Sequence, residues 1–80
     1  MGKGMALLAA ILLEVSATLS LRAAVDHPGW YALVAVGYPG AFAALAAALR
    51  AGLGIGVAYG IWSACGVALT AVLGAVLFDE

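Results

Sequence analysis

The sequence predicts an all-α membrane protein, with three transmembrane helices forming a single domain over residues 1–80. Three observations carry this. The chain is 68% apolar and 9% charged, whereas a soluble domain has roughly 45–50% apolar and about 25% charged residues. Its three basic and four acidic residues sit almost entirely at the ends of apolar runs. Those runs cover about 4–21, 30–49 and 55–78, and a helix needs about 20 residues, range about 17–25, to cross ~30 Å of hydrocarbon. Strands are excluded, because open sheet edges in lipid leave backbone groups unsatisfied and three short runs cannot close a barrel.

The first helix follows Lys3 and closes at Arg22. Lys3, the apolar stretch from Met5 to Leu13 and Val15-Ser16-Ala17 loosely imitate a cleavable leader. Two further spanning runs follow, so the expectation is a retained helix. Asp26-His27-Pro28-Gly29 forms a tight polar turn, with Trp30 and Tyr31 placed as interfacial anchors. The first two helices are therefore antiparallel neighbours. Pro39, between Tyr38 and Gly40, is expected to bend the second helix. Arg50 closes that helix before the Gly-rich turn at Ala51–Gly54, and Asp79–Glu80 close the third.

Positive charges number two on one side, Lys3 and Arg50, and one on the other, Arg22. A bias of one residue barely specifies insertion direction. It permits opposite insertion of two copies and hence an antiparallel pair.

Several functions are excluded early. A net charge of −1 with no Lys/Arg cluster offers nucleic acid nothing to bind. The lone Cys65 can form neither an intrachain disulfide nor a Cys-based metal site, and no metal or cofactor is expected. His27 beside Asp26 reads as a solvated turn, and no Ser, Cys, His and Asp stand at spacings that suit catalysis. An enzyme is the weakest reading.

The informative residue is Glu14, the single charge inside an apolar run, near the midpoint between Met5 and Arg22. A charge at the bilayer centre costs a few kcal/mol or more, so it marks a functional site by default. Its helical neighbours include Ala10, Ala17 and Thr18, small residues that leave space. In the third run Tyr59, Trp62, Ser63, Gly66 and Thr70 share one helical face. That face fits a cavity wall whose rings meet a cation that Glu14 neutralises. Plainer readings stand beside it. Trp62 and Tyr59 taken alone are ordinary packing or interface residues, Ser63 and Thr70 can bond their own helix backbone, and glycines spaced by four read as close helix packing. Glu14 itself can be a protonated structural acid bonded to a neighbouring helix.

Ala10-Ile-Leu-Leu-Glu14-Val15 with Thr18 and Arg22, together with Gly56-Val-Ala-Tyr59-Gly-Ile-Trp62-Ser63-Ala-Cys-Gly66, resembles the small multidrug resistance family of bacterial cation/proton antiporters across the whole chain. The resemblance implies that Glu14 binds proton and cation in alternation. It implies that Trp62, Tyr59 and Tyr38 line the pocket, that Ala10, Thr18 and Ser63 shape it, and that Gly66 belongs to a hinge. It also implies an antiparallel dual-topology dimer in the bacterial inner membrane, exporting lipophilic cations. Ile61-Trp62-Ser63, and Val15 rather than Trp after Glu14, resemble the quaternary-ammonium exporters more than the guanidinium exporters.

Two departures from the family pattern stand out. Ala64 replaces the first glycine of the usual Gly-x-Gly in the third helix, which suggests a stiffer hinge. Family members also carry a fourth helix, whereas this sequence stops at Glu80. The readings are a fragment, a helix supplied by another chain, or a non-transporting subunit of a heteromer or heterodimer.

Overall fold

A computed structural model describes residues 2–79, so Glu80 lies outside the described residues. Helix α1 runs Lys3–Ala24, a 3₁₀ turn covers Pro28–Trp30, α2 runs Tyr31–Arg50 and α3 runs Ile55–Phe78. All three helices are long and apolar enough to cross a membrane, and the longest dimension of the molecule is 40 Å. The chain is thus an all-helical, multi-pass membrane protein.

Polar residues set the helix ends. Arg22 and Arg50 occupy the last turns of α1 and α2, where cations oppose the negative end of the helix dipole. Arg22 also lies 3.6 Å from Asp26 and 5.4 Å from the centroid of the Phe78 ring. The turn after α2 needs Gly52, whose φ of +111° is closed to residues with a side chain. Helix α3 ends on Asp79 in the left-handed region, a conformation that Asp tolerates.

Helix α2 stays helical through Pro39, although Pro39 cannot donate to the carbonyl of Ala35. Gly37 lets α2 approach α1 closely, whereas Gly40 stands at ordinary van der Waals distance. A Cβ built on Gly37 would lie 2.7 Å from Ala17 Cβ, and one on Gly40 would lie 3.5 Å from Leu13 Cδ1. With Thr18 bonded to Tyr38, these contacts run antiparallel along the two helices. By contrast, Glu14 meets Gly66 and Arg22 meets Phe78, so α1 and α3 run parallel. The core is built on α1: Ala6, Leu7, Ala10, Ile11 and Val15 pack with Leu45, Ala48, Ala58 and Trp62. Outward-facing residues are equally apolar, with Val36, Val67 and Val76 exposed by 70, 71 and 73%. Lipid is the solvent that such a surface suits.

Candidate functional site

Glu14 is held by its own helix and by α2. One turn further along α1, Thr18 Oγ1 donates to Glu14 Oε1 at 3.0 Å, the i to i+4 geometry of one helical face. Thr18 Oγ1 also lies 2.7 Å from the Tyr38 hydroxyl. A hydroxyl has one proton to donate. With that proton committed to Glu14, Tyr38 donates to Thr18, giving a relay from Tyr38 through Thr18 to Glu14.

The second carboxyl oxygen is different. Glu14 Oε2 is buried without a hydrogen-bond partner among the described residues, and it presses against α3. A Cβ on Gly66 would lie 2.7 Å from it, so the absent side chain at Gly66 makes room for the carboxyl group. Thr70 Oγ1 and Trp62 Nε1 are also buried and unpartnered. Leaving a buried polar atom unbonded costs about 1–3 kcal/mol, so three such atoms, one on Glu14 and two on α3, point to a ligand or solvent site.

Two clefts meet at Glu14, Gly66 and Val67. The first, of about 280 Å³, is completed by Tyr38, Phe42, Tyr59, Trp62 and Ser63. Phe42 and Trp62 contact edge to face at 5.4 Å between ring centroids, as do Tyr59 and Trp62 at 5.7 Å. From Gly66 this cleft extends back along α3 and forward along α2, toward the end of the bundle where Arg50 and Ile55 lie. The second, of about 330 Å³, is completed by Thr18, Thr70 and Ala71. It extends forward along α1 and α3, toward Arg22 and Phe78. Glu14 is the single ionic residue lining either one.

The structure therefore brings Glu14, Trp62, Tyr59, Tyr38, Ser63 and Gly66 to one cleft and places Thr18 beside the carboxylate in the other. Ala10 lies elsewhere, fully buried in the α1 core and lining neither cleft. Sequence reasoning missed Phe42. It follows Tyr38 by four positions on α2, a spacing that places both on one face. Thr70 does not bond its own helix backbone: its hydroxyl is unpartnered and lines the second cleft. No group of three or more metal-ligating side chains occurs among the described residues.

A family model described as Small Multidrug Resistance protein matches residues 3–80. No curated protein and no solved structure matches the chain significantly.

Proposed function

The chain belongs to the small multidrug resistance family, a family of multi-pass membrane transporters, and from that premise we propose that it is a proton-coupled antiporter for lipophilic, quaternary-ammonium-type cations. Residues 1–80 act as one membrane domain in the bacterial inner membrane. Two copies pair antiparallel, an arrangement that the weak charge bias of Lys3, Arg22 and Arg50 permits. Glu14 is the shared site for proton and cation. Trp62, Tyr59, Tyr38 and Ser63 form the cation pocket with Phe42, and Gly66 is the point where α3 yields.

The observation that carries this reading is the buried, unpartnered Glu14 Oε2 at the head of an aromatic cleft. In a low-dielectric site a bare carboxylate is costly, so the oxygen takes either a proton or a cation. Each ligand excludes the other, because both neutralise the same group. If the site faces one side of the membrane at a time, this exclusion converts proton entry into cation exit. Aromatic faces attract a desolvated cation by about 2 kcal/mol or more. They do so without reading its shape, so selectivity is loose.

The quaternary-ammonium assignment rests on the character of the wall. A guanidinium presents five N–H donors. The cleft sets a single carboxylate, whose Oε1 already accepts from Thr18, and the hydroxyls of Tyr38, Tyr59 and Ser63 in a wall dominated by four aromatic side chains. A greasy cation without donors suits that wall better.

The test is proton release. Tetraphenylphosphonium added to the purified chain in weakly buffered detergent should liberate protons, and Glu14→Gln should liberate none. Undiminished release from the Gln variant would remove Glu14 from the mechanism.

A further inference from the structure

Glu14 sits where two clefts of different chemistry meet, and the antiport reading assigns work to one of them. The aromatic cleft suits a cation. The other has no aromatic side chain and carries two hydroxyls, those of Thr18 and Thr70, against the carboxylate. Thr18 is already committed to Glu14 Oε1. Glu14 Oε2 and Thr70 Oγ1 remain, both buried and without a partner among the described residues, on two residues that line this same cleft.

Their placement identifies what joins them. Oε2 lies against Gly66, and Thr70 follows Gly66 by four positions on α3, one helical turn along the same face. No hydrogen bond links the two atoms, and a single water bonded to both, with hydrogen bonds of about 2.8 Å, satisfies each. The cleft, at about 330 Å³, far exceeds the ~30 Å³ that a water occupies in the liquid.

We infer that the threonine-lined cleft is the proton's own route to Glu14, with Thr70 holding a water against Oε2, while the cation uses the aromatic cleft. This rests on the antiport reading above. When Glu14 deprotonates, the Oε2–H bond breaks and its electron pair stays on the carboxylate. The proton passes to the bridging water, which gives up one of its own protons to bulk water along the cleft. Besides Glu14, the titratable side chains lining the clefts are the phenols of Tyr38 on α2 and Tyr59 on α3.

The experiment is stopped-flow binding of tetraphenylphosphonium, read by tryptophan fluorescence, at acidic and at alkaline pH. On the inferred route, proton transfer limits binding at acidic pH, where protons compete with the cation, and does not limit it at alkaline pH. Thr70→Val, which removes the hydroxyl at nearly constant volume, should slow binding at acidic pH about fivefold or more, the worth of one hydrogen bond. The alkaline rate should stay at the wild-type value, and Thr70→Ser should restore the acidic rate. Ala71→Leu, which narrows the same cleft, should reproduce the acidic slowing and carries the test if Thr70→Val does not fold. Wild-type rates at acidic pH, or equal slowing at both pH values, would overturn the separate route. Failure of the antiport reading looks different: wild-type binding would then show no dependence on pH.

Discussion

Replacing Gly37 by Ala tests whether the α1–α2 contact sets the geometry of the site. The new Cβ would lie 2.7 Å from Ala17 Cβ, 3.4 Å from Ala17 Cα and 3.4 Å from the Leu13 carbonyl oxygen. Carbon atoms rest at about 3.5–4.0 Å, so the closest contact is short by roughly 1 Å. None of these atoms can rotate away, since all belong to backbone or to Cβ. The helices must part, and overpacking of this kind costs about 1–3 kcal/mol. The neighbouring residue, Tyr38, bonds Thr18 at 2.7 Å, so the same displacement stretches the relay to Glu14. Unfolding in mixed detergent and SDS micelles, followed by helical circular dichroism, should show that loss. Gly4→Ala is the control, because nothing lies within 4 Å of its Cβ. A Gly37→Ala protein as stable as the control would refute the close packing and the register built on it.

Two further substitutions probe the carboxylate. At Gly66 a Cβ would meet Glu14 Oε2 at 2.7 Å, a flexible group that can move. Gly66→Ala should therefore keep the fold yet weaken tetraphenylphosphonium binding about tenfold, equivalent to ~1.4 kcal/mol, as read by equilibrium dialysis; unchanged affinity would mean that the cation does not need Oε2 where it lies. Tyr38→Phe removes the donor to Thr18 and should cost about 0.5–1.5 kcal/mol of stability in the same unfolding assay. A neutral result would show that the relay contributes nothing to holding Glu14.

Much of this site was legible before the structure. Glu14 announced itself as a charge in mid-span, and the spacing of Tyr59, Trp62, Ser63, Gly66 and Thr70 follows from helix period alone. Interhelical register did not. The contacts Gly37–Ala17 and Gly66–Glu14 decide which α2 residue reaches the site, and period within one helix carries no such information. Phe42 was missed for that reason, although its distance from Tyr38 on α2 pointed to it. Ala10 shares a face with Glu14 in sequence, but packing against α2 and α3 draws it into the core. Thr70 was equally undecided. Whether its hydroxyl bonds its own backbone or faces a cleft depends on the side-chain rotamer and on the neighbouring helix, neither of which is written in the spacing.

The central claim is that proton and cation compete for Glu14, and equilibrium binding of tetraphenylphosphonium across pH tests it most directly. Affinity should rise by about tenfold per pH unit where one proton competes, a factor worth ~1.4 kcal/mol, then level off at alkaline pH, and Glu14→Gln should not bind. Affinity that is independent of pH, or retained in the Gln variant, would contradict the account.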